Sequence, residues 1–286
     1  MSMDELDQAP RLPALPTGGL RLRACACVGL LALLTALPAC GREAKEEAPA
    51  PPPIATAAAP VITTPWCGEG WRALDESTCV ALPEHFTKPA SLVIHVHGMV
   101  ALDALPTEEQ ATLLAASRAH GFAVVFSRGK PGLCTWDPKV TGNFCWPTRQ
   151  QAVDEIGPGI LAGWADGQAR AEALAGLRFE RRYLFGFSNG GYFVAYLSVE
   201  GRFPIDGAGV VGAGRTVIDE TLSGTAHPPF YIAVGDQEAA ATRQDAANLA
   251  HLLTLRGWPL RYVVHPGRAH ELHEDDLANA WAAWGR

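Results

Sequence analysis

The stretch Gly186-Phe187-Ser188-Asn189-Gly190 decides the fold class of this chain. An apolar run over residues 182–187 predicts a strand, and residues 190–199 predict a helix, so the serine falls on the turn between them. The two glycines leave room for strand and helix to approach closely. This spacing in this context predicts that the serine projects its hydroxyl into a cleft as a nucleophile. A glycine-rich turn with a capping serine is the alternative interpretation.

Short apolar runs alternate with longer helical stretches over the rest of the chain. Strands are predicted over residues 92–97, 122–126, 182–187, 208–211, 230–234 and 260–264. Helices are predicted from Thr107 to an end at Gly121, over 147–176 with a break or kink at Gly157-Pro158-Gly159, and over 190–199, 245–256 and 275–284. Because the strands are apolar throughout and separated by helices, we expect an α/β fold with a mostly parallel sheet covered on both faces. Residues 66–85 predict an N-terminal antiparallel hairpin, and Thr107 with Gln110 has the pattern of a capping box.

A serine nucleophile needs a histidine base, and that histidine needs a carboxylate to orient it. After a turn of this kind the acid and then the histidine follow the serine along the chain. The predicted base is His270, in the loop after the last strand. The predicted acid is Asp236, directly after the fifth strand. The reserves are His273 for the base and Glu238 or Asp219 for the acid.

A serine nucleophile also needs an oxyanion hole made of backbone amides. The sequence predicts the amide of Asn189, which follows the nucleophile, and the amide of Met99, with that of Gly98 as the alternative, in the loop after the first predicted strand. His97 ends that strand. We expect it to support the loop, and we also include it among the candidate substrate-binding residues.

These residues resemble the α/β-hydrolase superfamily. His97-Gly98, the serine turn, Gly235-Asp236 and His270 occur in the order of that superfamily. Within it, the Ser-Asn-Gly-Gly form of the turn and Asp154-Glu155-Ile156 resemble the polyhydroxybutyrate depolymerase and feruloyl esterase branch. The resemblance covers roughly residues 90–286. One departure is Met99, where that branch often has a polar residue or a cysteine, and this leaves the substrate open.

The resemblance implies hydrolysis of carboxylic esters through an acyl-enzyme, without a cofactor or a metal. It implies that Ser188 attacks, that His270 transfers the proton and that Asp236 holds the imidazole. The expected partner is a small-molecule or polymeric ester substrate, such as a polyhydroxyalkanoate or an aromatic ester. A serine peptidase or amidase on the same fold and a non-catalytic envelope binding protein are the alternatives.

An insert over residues 132–147 follows the second predicted strand and is expected to overhang the cleft. Its ends carry Cys134 and Cys145, and its aromatic residues include Trp136 and Trp146. One interpretation is that the two tryptophans grip an apolar part of the substrate. The other is that the insert forms a small satellite core of its own.

The N-terminal sequence indicates export. Arg21 and Arg23 precede an apolar run over residues 24–37, which is typical of a secretory signal peptide. The following Leu37-Pro38-Ala39-Cys40 resembles a bacterial lipobox. We therefore expect a signal peptide over 1–39, a lipid on Cys40 that anchors the protein at a membrane surface of the cell envelope, a Pro/Ala-rich disordered tether over 40–65 and a catalytic domain over 66–286. Cleavage without lipidation, giving a freely soluble protein, is the alternative.

Four cysteines remain beyond Cys40. An even number in an oxidising compartment predicts two disulfides, and the local pairs are Cys67–Cys79 and Cys134–Cys145. A zinc site is the alternative, although none of the four stands in a Cys-x-x-Cys pair. The formal net charge of −7 and the lack of any Lys/Arg run argue against a nucleic-acid partner.

Overall fold

A computed structural model describes residues 62–215 and 226–285 of the chain. The strands in these ranges are β1 (Arg72–Ala73), β2 (Thr78–Ala81), β3 (Ser91–Val96), β4 (Ala123–Ser127), β5 (Arg181–Phe187), β6 (Gly207–Val211), β7 (Phe230–Gly235) and β8 (Leu260–His265). The helices are α1 (Thr107–His120), α2 (Gln150–Ala175), α3 (Ser188–Val199), α4 (Ala240–Leu255) and α5 (Asp276–Ala283), with a short 3-10 helix over Pro138–Val140. The predicted signal peptide, Cys40, most of the tether and Asp219 lie outside the described residues.

The eight strands form one sheet in the order β1-β2-β4-β3-β5-β6-β7-β8. The pairings among β3 to β8 are all parallel, whereas β2 runs antiparallel to both of its neighbours. Apolar side chains of α2, α3 and α4 cover one face, and those of α1 and α5 cover the other. The predicted mostly parallel sheet with helices on both faces is confirmed. Parallel strands place their carboxyl ends at one edge, where loops can form a cleft.

The N-terminal hairpin is also confirmed, and the side chain of Gln110 helps to attach it to α1. The Nε2 group of Gln110 donates to the Trp66 carbonyl (2.8 Å), and its Oε1 accepts from the amide of Gly68 (2.7 Å). The predicted capping box is therefore wrong, because Gln110 is turned toward the hairpin and α1 begins without a side-chain cap. The predicted helix end at Gly121 is confirmed by its left-handed backbone, with φ of 70°.

Helix α2 runs without a break from Gln150 to Ala175, so of the predicted break or kink at Gly157-Pro158-Gly159 the break is wrong. A proline inside a helix removes one backbone hydrogen bond. Packing of the helix against the sheet outweighs that loss: Val153, Ile160 and Trp164 are all buried on its inner face. Among the described helices, none is both long enough and apolar enough to cross a bilayer.

Candidate active site

Ser188 lies on the turn between β5 and α3 with a φ of 50°, the one positive value at a non-glycine residue in the described part of the chain. Close contacts around the turn explain its glycines. A Cβ on Gly190 would lie 2.1 Å from the Val96 carbonyl oxygen, and one on Gly186 would lie 2.7 Å from the Gly190 oxygen. These contacts impose the sharp turn, and the strained backbone presents the hydroxyl of Ser188 at the carboxyl edge of the sheet.

His270 reaches Ser188 from the loop that follows β8. Its Nε2 lies 2.7 Å from the Oγ of Ser188. Its ring packs against Phe187, with ring centroids 5.2 Å apart, and about half of its side chain (47%) is exposed. The structure thus brings together the two residues that the sequence predicts as nucleophile and base, at hydrogen-bond distance and with the imidazole open to a substrate.

Glu238 orients that imidazole. Its Oε2 lies 2.7 Å from the Nδ1 of His270, and its side chain is only 2% exposed. The chain turns tightly after β7, since the amide of Glu238 donates to the Gly235 carbonyl (3.3 Å). Gly212, at the end of β6, leaves room for the carboxylate. A Cβ at Gly212 would lie 2.8 Å from Oε1 of Glu238 and 3.1 Å from Nδ1 of His270.

The prediction that Asp236 orients His270 is wrong. The Oδ1 of Asp236 accepts a hydrogen bond from the amide of Gly267 (2.7 Å), and its own amide donates to the His265 carbonyl (3.0 Å). Asp236 therefore fastens the loop that carries the histidine. The sequence pattern favours the first carboxylate after the strand, whereas the turn after β7 directs the side chain two residues later toward His270. The reserve base His273 contacts Glu271 instead.

Ion pairs fasten the other end of the His270 loop. Arg268 lies 2.9 Å from Asp275 and 3.4 Å from Asp276. The hydrogen bond from Arg268 holds the pKa of Asp275 below its usual value. Burial raises the pKa of Asp276, whose carboxylate also accepts from the amide of His273 (2.8 Å). The loop is thus fixed on both sides of the histidine.

His97 is fully buried and supports the loop after β3. Its Nε2 accepts from the amide of Gly129 (2.8 Å), so its Nδ1 carries the proton and donates to the Gly98 carbonyl. Burial lowers the pKa of His97 to about 4, so the ring is neutral. The predicted substrate contact of His97 is wrong, because no part of the residue is exposed.

Trp146 is buried between the same loop and the serine turn. Its indole Nε1 donates to the His97 carbonyl (3.1 Å). Its backbone amide donates to Oδ1 of Asn189 (2.7 Å), and its carbonyl accepts from Nδ2 of Asn189 (3.3 Å). The predicted substrate contact of Trp146 is wrong, since the residue is 2% exposed and packs in the core. Trp136, in contrast, is 52% exposed.

The insert lies against the loop after β3. Val100 and Phe144 exchange two backbone hydrogen bonds (2.8 and 3.2 Å), and Cys145 exchanges two with Lys130 (2.9 and 3.0 Å). Gly98 adjoins the nucleophile, because a Cβ built on it would lie 3.3 Å from the Cβ of Ser188. The amides of Met99 and Asn189 remain the predicted oxyanion donors.

The four cysteines of the described chain are paired as Cys67–Cys79 and Cys134–Cys145. They are therefore not available as a set of zinc ligands. Within residues 62–215 and 226–285, no group of three or more His, Cys, Asp or Glu side chains is arranged to hold a metal ion.

The sheet order, the strained serine turn and the strand-end loops define an α/β-hydrolase fold. No protein-family model matches the chain, and no curated protein matches it in sequence. Among solved structures it is similar to esterase PE8, at 21% identity over 72% of this chain and 96% of that one, with a TM-score of 0.52. It is also similar to YahD, solved with malic acid, at 12% identity over 72% and 97% of the chains and a TM-score of 0.53. SOBER1 from Arabidopsis thaliana is 16% identical over 69% of this chain and 98% of that one, with a TM-score of 0.52.

The roles of Glu238 and Asp236 can be separated by replacing each carboxylate with the amide of the same shape. We expect Glu238→Gln to slow labelling of Ser188 by a fluorophosphonate by roughly 10³-fold, because the imidazolium loses its charged partner. Asp236→Asn keeps an oxygen for the Gly267 amide, so labelling should stay within about 10-fold of wild type. A larger loss in Asp236→Asn than in Glu238→Gln would contradict the assignment.

Burial of neutral His97 predicts acid sensitivity. Its folded pKa of about 4 lies below its ordinary value of 6.5, so between these values the unfolded chain binds more protons. Stability from this group is complete above about pH 6.5 and is lost as the pH falls toward 4. From pH 7 to 5 the loss is about 2 kcal/mol. The free energy of unfolding, measured in urea at pH 7 and at pH 5, should show that loss in wild type and a smaller loss in His97→Gln. An equal loss in the two proteins would refute the contribution of His97.

Proposed function

We propose that the chain is a serine hydrolase that cleaves carboxylic esters through an acyl-enzyme. The observation that carries the proposal is the continuous chain of hydrogen bonds from Ser188 through His270 to the buried Glu238. A nucleophile, a base and an orienting carboxylate in this order form the apparatus of acyl transfer. The chain order of serine, acid and histidine also matches the fold.

In this mechanism Ser188 Oγ attacks the ester carbonyl while Nε2 of His270 takes its proton. Glu238 stabilises the imidazolium through Nδ1, and the amides of Asn189 and Met99 receive the oxyanion. The tetrahedral intermediate collapses, and His270 returns the proton to the departing alkoxide, which leaves as an alcohol. A water molecule then attacks the acyl-enzyme by the same steps, which releases the acid and restores Ser188.

The surroundings of the nucleophile favour an ester with an apolar acyl group. Met99 follows Gly98, which adjoins Ser188, and its apolar side chain is exposed. Leu102 on the same loop and Trp136 on the insert are exposed apolar side chains as well. An exposed apolar side chain such as Met99 beside a polar catalytic centre suits an apolar or aromatic substrate. The resemblance to the polyhydroxybutyrate depolymerase and feruloyl esterase branch and the likeness to a structure named as an esterase support the same class. Hydrolysis of a peptide or amide by the same residues is the second candidate, and a non-catalytic envelope binding protein is the third.

We place the enzyme outside the cytoplasm, held at a membrane surface by a lipid on Cys40. The lipobox-like sequence supports the anchor. Two disulfides in the catalytic domain are compatible with an oxidising compartment.

A direct test of catalysis compares wild type with Ser188→Ala. Wild type should hydrolyse p-nitrophenyl butyrate and label with a fluorophosphonate, and Ser188→Ala should lose at least about 10³-fold in kcat/KM. A panel of acyl chain lengths, feruloyl esters, polymer granules and peptide amides then orders the substrate classes. The proposal fails if neither labelling nor turnover depends on Ser188.

The lipid anchor is tested by growth with radiolabelled palmitate. We expect label in wild type and in Cys27→Ala, whose substitution lies in the predicted signal peptide, but none in Cys40→Ala. Equal label in Cys40→Ala would rule out this anchor.

A further inference from the structure

We propose that Trp146 is a positioning residue that holds the two predicted oxyanion-hole amides, those of Asn189 and Met99, in their mutual geometry. The inference rests on the proposed function, because it concerns how the same site stabilises a tetrahedral intermediate. The two amides belong to different segments of the chain, one following Ser188 and the other in the loop after β3. Trp146 is hydrogen-bonded to both segments.

On the nucleophile side, Trp146 holds Asn189 by two hydrogen bonds. The side-chain oxygen of Asn189 accepts from the backbone amide of Trp146 (2.7 Å), and its nitrogen donates to the backbone carbonyl (3.3 Å). Asn189 is 5% exposed, so these bonds satisfy a buried amide group. Because both ends of the Asn189 side chain are fixed, the first turn of α3 cannot rotate freely, and its backbone N–H groups keep one direction.

On the side of β3, the indole of Trp146 holds the peptide that begins the loop. Its Nε1 donates to the His97 carbonyl (3.1 Å), and His97 in turn donates through Nδ1 to the Gly98 carbonyl. Gly98 directly precedes Met99. The His97 carbonyl is also the atom that a Cβ on Gly190 would approach to 2.4 Å. The orientation of the Met99 amide is therefore linked through one indole to the position of α3.

Trp146 is itself rigidly held. Its ring stacks on Phe193 of α3 at an interplanar angle of 11° and contacts Trp164 of α2, with centroids 6.0 and 5.8 Å away. Its neighbour Cys145 is tied to Cys134. Because Phe193, Trp164 and the disulfide all restrain Trp146, its hydrogen bonds couple the position of the segment after Ser188 to that of the loop after β3. An electrostatic oxyanion hole depends on such fixed donors, because donors that must reorient during the reaction stabilise the oxyanion less.

Trp164 offers a matched control for a purely structural role. It is also 2% exposed and lies in the same apolar cluster. Its Nε1 is buried without a hydrogen-bond partner within the described residues. Trp146→Phe and Trp164→Phe therefore remove the same atoms from the same core, but only the first removes a hydrogen bond to the loop.

The experiment compares both variants with wild type in kcat and KM for p-nitrophenyl butyrate, in inhibition by an alkyl trifluoromethyl ketone and in thermal unfolding. The ketone forms a tetrahedral adduct with Ser188 that carries the oxyanion. We expect Trp146→Phe to lower kcat about 10-fold or more, with KM within about 2-fold of wild type. The inhibition constant of the ketone should rise by a factor similar to the loss in kcat. Trp164→Phe should keep kcat and the inhibition constant within about 2-fold.

Equal effects of the two variants on kcat, or a rise in KM without loss of kcat in Trp146→Phe, would overturn the inference while leaving the proposed function intact. If wild type itself shows no Ser188-dependent turnover, the proposed function fails instead. Should Trp146→Phe not fold, Asn189→Ala cuts the same link at its other end and retains the backbone amide. It must then show the same loss of kcat and of ketone affinity, and an unchanged kcat would refute the role.

Discussion

The site depends on the close contact between the start of α3 and the end of β3. Gly190 approaches the carbonyls of Val96 and His97 so closely that any side chain would collide with them. This contact places the Ser188 turn beside Gly98, where both segments can face one reacting carbon. The buried neutral His97 and the indole of Trp146 then fix the carbonyls on the β3 side. Sterics thus set the distance between the segments, and hydrogen bonds set their orientation.

The parallel sheet supplies the remaining groups from neighbouring strands. Strands β6, β7 and β8 are adjacent, and the chain after each contributes one part: the space at Gly212, the carboxylate of Glu238 and the imidazole of His270. Carboxyl ends of parallel strands meet at a single edge, so residues distant in sequence converge there. The ion pairs of Arg268 and the hydrogen bond of Asp236 restrict the movement of the loop that carries His270, the most exposed of these groups.

Local signals in the sequence predict much of the fold and of the candidate site. The apolar strands, the serine turn and the histidine after the last strand each follow from a few neighbouring residues. The sequence favours Asp236 over Glu238, because the position of the Glu238 carboxylate depends on a turn and on the space at Gly212, which follows another strand. The burial of Trp146 depends on Asn189 and His97, both more than forty residues away. Pro158 remains inside α2 because packing against the sheet compensates for the backbone hydrogen bond that the proline removes. A local sequence pattern does not predict that packing.

Gly212 and Glu238 share one volume, which couples the two positions in any divergence of this sequence. The backbone at Gly212 is left-handed, with φ of 58°, and a Cβ there would also reach His270. A larger residue at 212 is compatible with the same histidine only if the acid withdraws, for example to another strand end. A side chain at position 212, which takes no part in the chemistry, could therefore appear in a related chain only together with or after the loss of the acid from the loop that follows β7.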